Sequence, residues 1–227
     1  MLIIIVLVFV GAVLWWLFRV RQRDMAQCQA VLGLAPAQKS PPKPGTTPEG
    51  FAAFDHRLLE GTLLGRPASF SLRRVRSPKV ARRDRRGSDF TVLSFTLQPP
   101  ASVSLRIQPT GLIGAVETWV RGTPGDRVSV DATFDDAFTI YSDTPAAALA
   151  VLTPALRERL LEFHARILGT PTASTSTKLA SGLVIGTFHI DGSTARYLVP
   201  GSPTKSTAEQ VMAAAPVLLE VATAASG

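Results

Sequence analysis

Leu58-Leu-Glu-Gly-Thr-Leu-Leu-Gly-Arg-Pro-Ala-Ser-Phe-Ser-Leu-Arg73 is the stretch from which the fold class is read. Ala68, Phe70 and Leu72 alternate with Ser69, Ser71 and Arg73, a period of two that turns one side of a strand to a core and the other to water. Gly65-Arg66-Pro67 turns the chain back on the apolar run Leu58–Leu64, so the stretch predicts a β-hairpin.

The same pattern recurs downstream. Leu93, Phe95 and Leu97 form one apolar set, and after Pro99-Pro100 the residues Val103, Leu105 and Ile107 alternate with Ser102, Ser104 and Arg106. Val116–Val120 around Trp119 and Val128–Val130 carry weaker strand signals. Phe138, Ile140 and Leu183–Ile190 add stronger ones, and Asp191-Gly192 marks a tight turn into Ala195–Val199. Strands this close in sequence, mostly without a helix between them, predict a largely antiparallel sheet.

Two helices and a shorter helical turn complete the domain. Thr153-Pro154 is an N-cap and first-turn pair, after which Leu156, Leu160, Phe163, His164 and Ile167 line one face. Asp143-Thr144-Pro145 opens a shorter helix over 146–152. Ser206-Thr-Ala-Glu209 reads as a capping box for a last helix through Val211, Ala215 and Leu218, which Pro216 is expected to kink or split. The expected class is α+β: a meandering antiparallel sheet with two or three helices on one face, preceded by a transmembrane helix.

That transmembrane helix is read from residues 2–18, seventeen apolar positions without a charge, at the short end of what crosses a hydrocarbon core of about 30 Å. Trp15 and Trp16 are expected at headgroup level and Arg19, Arg21 and Arg23 follow, so the positive-inside rule places the N-terminus outside and the rest in the cytoplasm. The Ala, Arg, Pro and Gly enrichment suggests a GC-rich bacterial genome, and the membrane is then the bacterial inner membrane. A cleaved signal peptide is the competing reading. It would carry a basic start, a shorter apolar core and a small-x-small cleavage site, none of which is in place. An inverted, extracytoplasmic topology is the third.

Val20, Met25, Cys28, Val31 and Leu32 continue a helical spacing through 19–33. Gln27-Cys28-Gln29 lacks the small residues expected before a lipoprotein cysteine, so Cys28 reads as a free juxtamembrane thiol with nothing in the sequence to support its acylation. Five prolines between 34 and 50 predict an extended linker, and 51–227 is then the cytoplasmic domain. With one cysteine in 227 residues, an internal disulfide, a Cys-based zinc cluster and an iron–sulfur site are excluded.

The net charge of +7 is concentrated in one place. Residues 73–86 hold eight basic side chains (Arg73, Arg74, Arg76, Lys79, Arg82, Arg83, Arg85, Arg86) and one acidic, and the remaining residues carry the two signs equally. This is an exposed loop joining two hydrophobic strands. It reads as a solvated connector, as an element binding an anionic leaflet or an acidic protein, or as a nucleic-acid contact. The last is disfavoured, because no aromatic platform is interleaved with the charges.

Motifs for a reaction are missing. His56, His164 and His189 share no ligand spacing, and Asp126, Asp131, Asp135 and Asp136 lack the glycine and terminal glutamate of a calcium loop. Ser202-Pro-Thr-Lys205 matches S-x-x-K without its companion motifs. No catalytic residue, metal site or cofactor is therefore assigned, and oligomeric state stays open. A tethered enzyme with a pocket near His189, Asp191 and the acidic cluster is the alternative to a binding domain.

Phe134-Asp-Asp-Ala-Phe138-Thr-Ile-Tyr-Ser-Asp143, followed by Leu152-Thr-Pro154-Ala-Leu156 and Leu160-Leu161, resembles a widespread family of uncharacterised bacterial single-pass membrane-anchored proteins. Their shared line is F-x-x-x-F-x-[VI], an Asp, a short helix and a Leu-Thr-Pro helix start. The match runs over about 126–200. It implies one α+β domain and carries no activity or catalytic residue; the basic loop and the proline-rich stretch are not part of it.

Overall fold

A computed structural model describes residues 22–38, 43–46, 52–76, 88–110, 125–168 and 185–227, together with 15, 19 and 20; for 43–46, 52–54, 75, 76, 88 and 168 only the backbone is described. The apolar run 2–18, apart from Trp15, lies outside these residues, as do the strand signals at 116–120 and 183–184.

The protein is α+β, with one large antiparallel sheet. In chain order the strands are β1 (Ala35–Pro36), β2 (Lys43–Thr46), β3 (Ala52–Leu63), β4 (Arg66–Arg76), β5 (Ser88–Thr96), β6 (Leu105–Pro109), β7 (Asp126–Val128), β8 (Phe138–Ser142), β9 (Thr187–Asp191) and β10 (Thr194–Pro200). The helices are α1 over 22–32, α2 (Ala132–Ala137), α3 (Pro145–Val151), α4 (Pro154–Leu168) and α5 (Lys205–Ser226).

Spatial order is β1-β3-β4-β5-β10-β9-β6-β8-β7, with β2 beside β3. The β3–β4 hairpin turns at Leu64-Gly65. Besides the order β6-β8-β7 and the pairing of both β1 and β2 with β3, the expected meander is broken where the β9–β10 hairpin inserts between β5 and β6. Its side chains explain why. Phe188, Ile190, Ala195, Tyr197 and Val199 line one face and Thr187 and Leu198 the other, all buried, and such two-sided burial is available only in the middle of a sheet.

The core lies between the sheet and the helices. Phe163 of α4 stands edge-on to Phe188 (5.6 Å between centroids) and to Tyr197 (5.9 Å), and Phe188 packs on Tyr197 at 4.8 Å. The Tyr197 hydroxyl accepts from the Gly186 N–H at 2.9 Å and from Gln210 Nε2 of α5 at 3.2 Å. Gly186 has no room for a side chain, since a Cβ there would lie 2.6 Å from the Tyr197 ring.

Helix ends follow local chemistry, with one shift. Thr153 Oγ1 accepts from Leu156 N at the start of α4. The α5 cap falls two residues before the expected capping box: Thr204 Oγ1 accepts from Thr207 N at 3.2 Å. Pro216 does not split α5, which runs unbroken over 22 residues. The proline faces solvent, where a carbonyl left without its N–H can meet water. Arg166 donates to the next carbonyl, Ala213 O, at 3.3 Å. By length and composition α5 is apolar enough to cross a membrane, but half of it is buried inside this domain, as a core helix is.

Two expectations for the N-terminal third are corrected. Cys28 is not an open thiol: it is fully buried, its Sγ donates to Thr204 O at 3.3 Å, and burial pushes its pKa up to about 11. Nor is 34–50 a spacer throughout, because Leu34 is in the core and β1 and β2 both pair with β3. Proline composition misleads here, since Pro36 and Pro44 occupy edge strands where a missing N–H is tolerated. Gly33, at φ +66°, ends α1 and returns its N–H to Gln29 O at 2.8 Å.

Tyr197→Phe leaves the Gly186 N–H without its acceptor and should lower unfolding stability by about 1–3 kcal/mol in urea titrations. Phe163→Ala should cost about 3–5 kcal/mol. Cys28 should resist maleimide in the folded chain and react fully in denaturant; rapid modification of native protein would refute its burial.

Candidate functional site

Alternation puts a second set of side chains on the face turned away from the helices. Its register can be followed across eight strands: Glu60 opposite Ser69, Ser69 opposite Ser94, Ser94 opposite Arg196, Arg196 opposite His189, His189 opposite Arg106, Arg106 opposite Tyr141 and Tyr141 opposite Arg127. Side chains directly opposite one another on a ladder lie about 4.5–5.5 Å apart at Cβ. The middle of this row is therefore Arg196, His189 and Arg106 side by side.

This face is not the wet one that alternation predicts. All five residues of β6 are buried, Arg106 and Gln108 included, and β6 has a neighbouring strand on each edge. The Arg106 guanidinium lies 5.4 Å from the Tyr141 ring centroid. Phe90, Val92 and Leu198 make a small apolar floor on the same face.

His189 is held neutral. Burial, then the charges of Arg196, Arg106 and Arg73, push its pKa down from 6.5 to about 3. Its Nε2 is buried and has no hydrogen-bond partner among the described residues, and the same is true of Thr187 Oγ1, one pleat along β9. Leaving such atoms unsatisfied costs about 1–3 kcal/mol each, which marks them as features to be explained. Arg73 is also largely buried, and this lowers its pKa although Asp55 stands 3.4 Å away. A groove of about 640 Å³ opens alongside, lined among others by Asp55, Ser69, Ser71, Arg73, Ser94 and Arg196.

The eight basic residues of 73–86 divide. Arg73 turns into this groove, and Arg74 makes a two-pronged pair with Asp89 at 2.7 and 2.9 Å, which raises its pKa. Arg76 closes β4 opposite Ala52. Lys79, Arg82, Arg83, Arg85 and Arg86 lie outside the described residues.

The three histidines do not converge. His56 is exposed on β3, and His164 packs edge-on against Phe138 at 5.1 Å, its pKa lowered by burial. The aspartates do structural work: Asp131 caps α2 by accepting from Phe134 N at 2.9 Å, and Asp135 accepts from Ser129 Oγ and Val130 N. Asp131 also pairs with Arg157. Among the described residues no three His, Cys, Asp or Glu side chains gather as a metal site would require. Sequence reasoning missed Arg106, Arg196 and Thr187 as members of one site. Each is only the polar phase of its own strand, and their meeting depends on strand order.

These features define an α+β domain with a groove, lined by arginines and by Asp55 and Glu60, on the sheet face turned away from the described helices. No family model matches the chain, and no curated protein is similar to it. Among solved structures it is similar to the crystal structure of the mycobacterial trehalose monomycolate transport factor A, TtfA, with 11% identity and a TM-score of 0.47 over 88% of this chain and 93% of that one. A likeness of that size carries no functional argument.

Because His189 is neutral when folded and takes a proton with pKa 6.5 when unfolded, the unfolded state binds more protons between those values, and stability should fall as pH drops from about 6.5 toward 3. His189→Gln should flatten that limb relative to wild type in unfolding curves taken from pH 7 to 4. Parallel curves would show that His189 is not held neutral.

Proposed function

We propose that the chain is a non-enzymatic, single-pass membrane protein whose domain binds an anionic lipid surface at the cytoplasmic leaflet, with the basic stretch 73–86 making the contact. In this reading residues 2–18 span the bilayer and Arg19, Arg21 and Arg23 face inward. The observation that carries it is the docking of α1: Cys28 and Leu32, with Leu34 just beyond, are buried in the core of the domain, ten to sixteen residues after the apolar run. A domain fastened so near its anchor holds a basic loop at high effective concentration against lipid. Each Arg or Lys reaching an anionic surface adds about 1 kcal/mol. An acidic protein in place of lipid is the other partner of this kind. The separation of the histidines and the structural duties of Asp131 and Asp135 favour this reading over the enzymatic alternative.

Trypsin digestion of the full chain in proteoliposomes tests the contact. Cleavage after Lys79–Arg86 should be slowed in anionic vesicles at low salt and restored in high salt, while neutral vesicles give no protection. Equal cleavage in both lipids would refute lipid binding. A reporter fused after Gly227 should be active only in the cytoplasm.

A further inference from the structure

We infer that the sheet face turned away from the described helices holds a built site for one phosphate-type oxyanion, bound by the Arg196 guanidinium, the His189 imidazole and the Thr187 hydroxyl, with Arg106 and Arg73 supplying a positive surround. The site goes beyond the basic stretch and does not need it, since Arg196, His189, Thr187 and Arg106 belong to β10, β9 and β6.

Three observations converge. First, Arg196 and His189 are direct cross-strand neighbours, and His189 is in turn opposite Arg106, so the site is set by sheet register rather than by a loop. Second, two buried polar atoms on this face, His189 Nε2 and Thr187 Oγ1, have no hydrogen-bond partner among the described residues. Third, Arg196 and Arg73 line a groove, together with Asp55, which pairs with Arg73, and Glu60. The groove opens the Arg196 end of the site to solvent, His189 and Thr187 are not among its lining residues, and Arg196 makes no ion pair among the described residues.

The chemistry selects the ligand. A guanidinium fork from β10 and, from β9, an imidazole and a hydroxyl two residues apart approach from two neighbouring strands and donate from different directions. A carboxylate, with two coplanar oxygens, is satisfied by the fork alone, whereas a tetrahedral oxyanion offers acceptors out of that plane. A cation is disfavoured by the surrounding guanidinium groups. The neutral imidazole can donate its one N–H without carrying charge into a buried place, and burial strengthens each such contact. The phosphate group can come from a soluble phosphate ester or from a lipid headgroup.

The full chain, labelled with ¹⁵N at its three histidines and held in zwitterionic micelles, gives a readout of three imidazoles. Titration with inorganic phosphate should shift the His189 resonances saturably and leave His56 and His164 in place. Arg196→Gln should weaken that response at least tenfold, and an unchanged His164 resonance, set by its contact with Phe138, reports that the variant is folded. A variant with Arg82, Arg83, Arg85 and Arg86 changed to Gln should bind phosphate as wild type does, which separates this site from the basic stretch. Phosphatidylglycerol that displaces phosphate identifies a lipid headgroup, and phosphatidylglycerol without effect identifies a soluble ester. Absence of a saturable His189 shift, a uniform shift of all three histidines, or an unaltered Arg196→Gln response would overturn the site.

Discussion

Tyr197 joins the two layers of this protein. Its ring packs on Phe188 within the sheet and meets Phe163 of α4, while its hydroxyl accepts from the backbone of Gly186 and the side chain of Gln210 on α5. A buried phenol is tolerated only where its oxygen finds partners, so the position of α5 and the approach to β9 are set together by one residue. Gly186 follows from the same constraint, because the ring takes the space a side chain would need.

Placing Tyr197 there puts the β9–β10 hairpin in the centre of the sheet, and the consequence appears on the opposite face. Inserted between β5 and β6, the hairpin brings Arg196 and His189 against Arg106. Side chains that would each be an ordinary solvated partner on an edge strand become a concentrated, partly dry positive region. His189 registers this environment most sharply, since burial and neighbouring charge act on it in the same direction. The cost of that arrangement is carried by the aromatic packing on the helix side.

The N-terminal third shows how composition can be outvoted by pairing. Five prolines between 34 and 50 read as a spacer, yet the edge of β3 offers unpaired backbone groups that β1 and β2 satisfy, and an edge strand does not require every N–H. Cys28 is a small hydrophobe packed under the start of α5.

Local signals in the sequence were enough for the α+β class, the β3–β4 and β9–β10 hairpins, the Thr153-Pro154 start of α4 and the apolar face of α5, because period-two alternation, Asp-Gly turns and caps act over a few residues. Strand order was not local. Nothing near Thr187–Pro200 says that this hairpin lies between β5 and β6, so the gathering of Arg106, Arg196, His189 and Thr187 could not be read from sequence alone. Only the tertiary structure decided it, since pairing partners are chosen by which apolar faces must be buried on both sides, a condition that exists only once the whole sheet is assembled.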